Sequence, residues 1–153
     1  MTKINTQDRR FFNTAGLCFP ENHYMVDPLP RLEDVEGLIK NRSYFTIHAP
    51  RQSGKTTYLY AMARKLNREG VYITLVVSFE QAGYHGITVK EANELLVQRI
   101  YQGATEQLPQ KEWPPNPEKN NFINIKQYLK HWAESQDKPI ILMIDEIDAL
   151  LDD

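Results

Sequence analysis

The stretch that decides the fold of this chain reads Ala49-Pro50-Arg51-Gln52-Ser53-Gly54-Lys55-Thr56-Thr57. A short run with strand-forming residues, 44–48, comes before it, and a helical pattern extends from it to about Arg68. A strand, a tight loop ending in Gly-Lys-Thr and a helix form an arrangement that binds phosphate groups. The sequence therefore predicts a phosphate-binding loop at residues 49–57, and a chance match at a helix start is the alternative.

The residue types in this loop suit phosphate chemistry. The backbone N–H groups of residues 52–57 are expected to surround a phosphate, and the helix N-terminus adds a partial positive charge. Lys55 supplies a mobile cation for the β- and γ-phosphates, and the Thr56 hydroxyl is placed to ligate Mg²⁺. Gly54 lets the backbone approach a phosphate without a side chain between them. We expect all nine residues to contribute to nucleotide binding.

The loop departs from the usual pattern at its first position. The pattern G-x-x-x-x-G-K-[ST] begins with glycine, whereas this chain has Ala49 there. Alanine fits that position if its φ is negative. The neighbouring Pro50 has its own φ fixed by its ring, which stiffens the entry to the loop. The departure is therefore tolerable.

A second chemical signal lies where an apolar run, residues 140–144, ends in Asp145 and Glu146. Such a run is typical of a buried parallel strand, and ligands gather at the C-terminal ends of parallel strands. We expect Asp145 to hold Mg²⁺, usually through water, and Glu146 to orient and deprotonate an attacking water. This Walker B pattern is weak alone but strong when a phosphate-binding loop lies upstream of it.

Strand and helix patterns alternate over the rest of the chain. The sequence predicts a short amphipathic helix over residues 32–39 and a buried strand over 71–79. A further helix begins at Thr88, which has a capping-box spacing to Glu91, and another includes residues 125–132. The alternation predicts an α/β fold, a three-layer P-loop NTPase-type parallel sheet flanked by helices.

The chain is predicted to be one domain, 1–153, the N-terminal part of a P-loop NTPase domain. Residues 1–30 show no clear period and are expected to form an extended, turn-rich arm before the core, 31–153. Residues 103–121 break the core pattern with four prolines around a lone tryptophan, which indicates a surface insertion or a partner-binding loop. In the arm, Cys18, His23 and Tyr24 are interpreted as packing residues.

The composition excludes several classes of protein. The formal charge of −2 gives no electrostatic case for binding nucleic acid or an anionic membrane. No apolar run approaches the roughly 18 residues that a membrane span needs. The single cysteine excludes an internal disulfide, and the polar N-terminus lacks the apolar core of a signal peptide. These features are consistent with the cytoplasm.

Taken together, the loop at 49–56 and Asp145-Glu146-Ile147-Asp148 resemble the AAA-like P-loop ATPases related to origin-recognition and STAND-type NTPases. In addition, Phe12-Asn13-Thr14-Ala15-Gly16 and His23-Tyr24-Met25 resemble the arm that precedes the loop in bacterial AAA-like ATP-binding proteins. The resemblance covers essentially the whole chain, and the two Walker motifs are its most specific part. It implies an ATP-binding α/β domain in which the glutamate after the Walker B aspartate activates water.

The resemblance also implies elements that this chain does not contain. In the sheet, a strand with a polar sensor residue is expected to lie between the loop strand and the Walker B strand. In the sequence, that strand, an arginine finger and a helical lid should all follow the Walker B strand. Since the chain stops at Asp153, we expect the sheet to be incomplete at the C-terminus. The two strands would then leave a gap or pair directly, and unpaired strand edges make self-association expected.

We therefore expect an ATP-binding P-loop NTPase that uses Mg²⁺ and couples hydrolysis to a conformational change, with Lys55 and Glu146 as catalytic residues. The alternative is a nucleotide-gated binding module that binds ATP with little turnover. A phosphotransferase fits less well because no acceptor-binding feature is visible. By resemblance, adenine should contact Tyr24 and Met25, although these residues could simply pack the arm onto the domain. The sequence identifies no protein partner.

Overall fold

A computed structural model describes residues 10–14, 16–32, 34–50, 52–79, 88–120, 122 and 124–146. The chain divides into two compact units, Met1–Ala61 and Met62–Asp153. Its α-helices and β-strands are α1 (Val35–Lys40), α2 (Lys55–Glu69), β1 (Ile73–Ser78), α3 (Val89–Gln107), α4 (Ile125–Glu134) and β2 (Ile140–Asp145). Short 3-10 helices occur at Leu29–Arg31, Gln110–Glu112 and Pro117–Lys119. Across the described ranges, no helix is both long enough and apolar enough to cross a membrane.

The arm is held together by local backbone and ring contacts. The Phe11 N–H donates to the Asn22 carbonyl at 3.1 Å, and the Tyr24 N–H donates to the Phe11 carbonyl at 3.0 Å. His23 is buried, accepts the Phe19 N–H at Nδ1, and meets the Phe11 ring edge-on at 4.7 Å between centroids. These contacts support the interpretation of His23 as a packing residue.

The segment before the loop is not a strand. Residues 43–50 have no regular secondary structure, and the Tyr44 side chain is fully exposed. The prediction of a strand over 44–48 is therefore wrong, although its aromatic and β-branched residues favour one. A strand forms only where a neighbour pairs with its backbone, and no described strand lies beside this segment.

Helix α2 has the bounds that the sequence predicts. Its first hydrogen bond runs from the Tyr58 N–H to the Gly54 carbonyl at 2.9 Å. It ends at Gly70, whose φ of +75° is the left-handed conformation in which glycine commonly terminates helices. Met62 and Leu66, on the predicted apolar face, are buried.

The second unit contains a parallel two-strand sheet. Strands β1 and β2 pair in a register that joins Ile73 to Ile140 and Ser78 to Asp145. Both strands lie within or close to the predicted ranges, so the chain is a mixed α/β structure with a small parallel sheet. The described sheet has two strands, and the three-layer arrangement expected from the sequence is part of the proposed function.

Helices α3 and α4 provide the core against which one face of the sheet packs. Both predicted helices are confirmed, and Thr88 and Glu91 form the expected capping box at the start of α3. The bonds from the Thr88 backbone and side chain hold the pKa of the Glu91 carboxyl below its usual range. Tyr128 and Trp132 of α4 are fully buried. The core cluster comprises Ile73, Leu75, Val77, Phe79, Val97, Ile100, Ala104, Leu108, Tyr128 and Trp132.

The proline-rich segment is built into the second unit rather than added to its surface. The predicted break at Gly103 is too early, because α3 continues to Gln107 and Gly103 packs against β1. The buried Trp132 donates its indole N–H to the Glu112 carbonyl at 3.0 Å. The Glu112 carboxylate, in turn, pairs with Lys138 at 3.0 Å. Proline interrupts the helical pattern here, but a backbone carbonyl of this segment still accepts a hydrogen bond from a core side chain.

Candidate functional site

The loop in front of α2 is tightly curved. Gln52 and Gly54 have φ values of 58° and 88°, so left-handed residues flank Ser53 on both sides. The Ser53 N–H donates to the Pro50 carbonyl at 3.3 Å and closes a turn. Successive N–H groups in turn and left-handed conformations form concave sites that bind anions. The loop has the backbone conformation that such a site requires.

The loop leads directly into the N-terminus of α2, which has 15 residues. In any α-helix the N–H groups of the first turn have no carbonyl partner within the helix, and the aligned peptide dipoles place a partial positive charge there. In this helix, Lys55, Thr56 and Thr57 make up that turn. Loop and helix start therefore offer N–H donors and positive potential at the same place.

Two cationic side chains lie against the loop. The Lys55 ammonium donates to the Ala49 carbonyl at 2.8 Å and to the Pro50 carbonyl at 3.4 Å. The Arg31 guanidinium donates from Nη1 to the Ser53 carbonyl at 3.3 Å. These partners are neutral carbonyls, so none of these bonds offsets the positive charge of the side chain.

Sequence reasoning missed Arg31. It contacts a loop residue 22 positions later in the chain, and a Cβ built on Gly54 would lie 3.7 Å from its Nη1. No motif or spacing marks this arginine, because its position depends on how the segment before α1 folds back. Only the tertiary structure shows that Arg31 lies at the loop.

The loop also contains a buried hydroxyl. The Ser53 Oγ is buried and has no hydrogen-bond partner among the described residues. Most buried polar atoms in proteins are hydrogen-bonded, so an exception needs an explanation. Its described neighbours in the loop do not provide such a partner.

The predicted carboxylates lie together at the end of β2. Asp145 is the last residue of the strand and is only 6% exposed, whereas Glu146 is exposed. The Glu146 N–H donates to the Asp145 Oδ1 at 3.2 Å, and Glu146 has a φ of 54°. A left-handed non-glycine residue is uncommon, and here it turns the chain sharply at the strand end. The two carboxylates thus differ in their access to solvent.

The predicted site residues belong to both units. Ala49, Pro50 and residues 52–57 form one loop and helix start in the first unit, and Arg51 lies outside the described residues. Asp145 and Glu146 belong to the second unit. Thr56 and Asp145, the predicted Mg²⁺ ligands, are therefore in different units. The described residues contain no group of three or more His, Cys, Asp or Glu side chains suited to a metal.

The residues predicted to contact adenine have contrasting environments. Tyr24 is half exposed and lies 5.1 Å from the Phe12 ring, between centroids, in a tilted arrangement. Met25 is partly buried. Exposed aromatic rings are suited to stacking, and the contact with adenine stays a prediction.

Comparison with known proteins returned no match. No family model, curated protein or solved structure matched this chain. The features that bear on function are therefore the loop, the start of α2 and the end of β2.

A cleft of about 830 Å³ in the second unit is a weaker candidate site. It lies between α3 and residues 116–118, 120, 122 and 124, and it is lined by several amide side chains. Asn93 accepts the Ile125 N–H at 3.1 Å, and Asn124 accepts the Gln127 N–H at 2.9 Å. These amides cap or brace the start of α4, so the polar lining is explained by the fold.

Proposed function

We propose that this chain is a P-loop ATPase that binds ATP with Mg²⁺ at residues 49–57 and hydrolyses it. The observation that carries the proposal is the loop itself, in which left-handed Gln52 and Gly54 precede a 15-residue helix that begins at Lys55. This combination matches the chemistry of a phosphate cradle, in which backbone N–H groups, a helix N-terminus and a lysine act together. Arg31 adds a second cation beside it.

ATP fits the donors that the loop provides. Lys55 would exchange its bonds to the Ala49 and Pro50 carbonyls for bonds to phosphate oxygens. The Lys55 ammonium is charged in both states, but a phosphate oxygen carries a negative charge where a carbonyl oxygen is only a dipole, so the exchange is favourable.

We assign Mg²⁺ to the Thr56 hydroxyl and the Asp145 carboxylate, the latter through water. Mg²⁺ favours oxygen ligands and usually keeps several waters, so two protein ligands suffice when phosphates supply others. When bound, the ion neutralises charge on the phosphates. The exposed Glu146 is then the residue that accepts a proton from the attacking water.

The proposal includes the three-layer sheet of this class of protein, in which further strands would extend the pair formed by β1 and β2. It also includes a cytoplasmic location, which agrees with the single cysteine of the chain. Domain 1–153 would then contain the nucleotide site from the loop to Glu146.

A nucleotide-gated binding module is the second candidate. It is favoured by the make-up of the loop, whose left-handed backbone and Lys55 and Arg31 side chains can bind phosphate without the carboxylates. The donors for phosphate binding come from the first unit alone, whereas hydrolysis needs Asp145 and Glu146 as well. Binding without turnover would therefore follow if the carboxylates do not reach the nucleotide.

ATP binding and phosphate release, measured on the same preparation with and without Mg²⁺, separate the two candidates. We expect Glu146→Gln to retain ATP binding and to lose hydrolysis by about 10²–10⁴-fold, the usual cost of a missing general base. Binding with no phosphate release from the wild type would favour the binding module. Absence of ATP binding by calorimetry would refute both, and wild-type hydrolysis by Glu146→Gln would refute the role of Glu146.

A further inference from the structure

The two edges of β1 have different partners. In a parallel pair, successive residues direct their backbone groups alternately towards one neighbour and the other. The Ile73 N–H donates to the Pro139 carbonyl at 3.0 Å, and the Phe79 N–H donates to the Asp145 carbonyl at 3.2 Å. Odd-numbered residues of β1 therefore face β2, and Thr74 and Val76 face away from it.

Amide side chains from two helices occupy that outer edge. Asn67 of α2 accepts the Thr74 N–H at 2.7 Å and donates to the Thr74 carbonyl at 2.8 Å. Gln107 of α3 accepts the Val76 N–H at 3.2 Å and donates to the Val76 carbonyl at 2.8 Å. Each carboxamide thus makes both bonds that a residue of a neighbouring strand would make.

These bonds satisfy groups that solvent does not reach. Thr74 and Val76 are 0% and 1% exposed. A buried backbone N–H or carbonyl without a partner costs free energy comparable to a lost hydrogen bond. A carboxamide is suited to this position because it is planar and presents an acceptor and donors side by side, as a peptide group does.

We propose that Asn67 and Gln107 close the outer edge of β1 against pairing with a second copy of this chain. Proteins commonly protect edge strands, because an unpaired edge is a template for association. Here the protection consists of two side chains in place of a third strand. Strand β1 is then the terminal strand, and the sheet can grow only on the β2 side.

Amide hydrogen exchange on the chain 1–153, combined with light scattering, tests this proposal without nucleotide. In the wild type, we expect the Thr74 and Val76 N–H groups to exchange as slowly as that of Leu75, which faces β2. The double variant Asn67→Leu/Gln107→Met keeps the side-chain shapes but removes the donors and acceptors. We expect it to exchange at least about tenfold faster at Thr74 and Val76, and to show a mass that rises with protein concentration.

Gln102→Met is the matched control, since Gln102 is also in α3 but bonds to Glu106 on the exposed surface. It should change neither measurement. A folded double variant with wild-type exchange, or one that stays monomeric at every concentration, overturns the proposal. If the double variant does not fold, amide exchange of the single variant Gln107→Met tests the proposal instead. Faster exchange at Val76 with Thr74 unchanged supports the proposal, and no difference between these two residues refutes it.

Discussion

Lys55→Ala is the most direct test of the phosphate loop. In the free protein the Lys55 ammonium has bonds of 2.8 and 3.4 Å to the Ala49 and Pro50 carbonyls. ATP binding would replace these with bonds to negatively charged phosphate oxygens. Hydrogen bonds to charged groups contribute about 1.5–3 kcal/mol net. We therefore expect Lys55→Ala to weaken ATP binding by about 10–150-fold, since about 1.4 kcal/mol corresponds to a factor of ten.

Titration calorimetry with ATP and Mg²⁺ measures this change directly. Lys65→Ala is the matched control, because Lys65 is also a lysine of α2 and lies 3.9 Å from Glu69 along the same helix. It should leave the affinity unchanged. Circular dichroism would check that α2 is retained in both variants. If Lys55→Ala binds ATP as tightly as the wild type, Lys55 does not contact phosphate and the assignment of residues 49–57 is wrong.

Three further predictions concern the loop, the start of α3 and the core. Arg31→Gln should weaken ATP binding in calorimetry by a smaller factor than Lys55→Ala, since the guanidinium is exposed and solvent screens its charge; an equal or larger loss would contradict this. The lowered pKa of Glu91 means that its cap stabilises the fold above the usual carboxyl pKa of 4.5 and loses that contribution as pH falls through the folded pKa. The difference in thermal midpoint between wild type and Glu91→Ala should therefore shrink below about pH 4, and a constant difference would refute the cap's charge dependence. Trp132→Phe should lower the free energy of unfolding by at least about 1–3 kcal/mol in urea titrations, because the buried Glu112 carbonyl loses its donor; an unchanged midpoint would show that this bond is not needed.

The free loop already contains some of the order that a ligand needs. Lys55 braces the loop through the Ala49 and Pro50 carbonyls, and Arg31 holds the Ser53 carbonyl. Preorganised donors reduce the entropy that a ligand must overcome on binding. In the proposed complex with ATP the same bonds would be partly exchanged, so these two cations would set the balance between the free and the bound loop.

Local patterns predicted the helices of this chain well. Helix α2 starts beside Gly54 and ends at Gly70, and α3 starts with the capping box of Thr88 and Glu91. The hydrogen bonds that decide these boundaries join residues no more than four positions apart. The apolar runs of β1 and β2 were equally clear, and β1 is buried on both faces, which needs continuous hydrophobicity, whereas β2 is only partly buried.

The sequence marked most residues of the candidate site, but it did not mark Arg31. Lys55, Asp145 and Glu146 follow from motifs whose spacing is local to one loop or one strand end. Arg31 reaches Ser53 from 22 positions away, and no pattern in the sequence records that approach.

Pairing between distant segments was decided by the tertiary structure alone. Residues 44–48 have strand-forming side chains and yet form no strand, because no described neighbour pairs with their backbone. Gln107 meets Val76 across 31 positions, and Trp132 meets Glu112 across 20. The sequence by itself determined the helix boundaries, because these depend on hydrogen bonds between residues only a few positions apart. Which distant groups satisfy each other depends on how helices and strands pack, and one-dimensional spacing carries no record of that geometry.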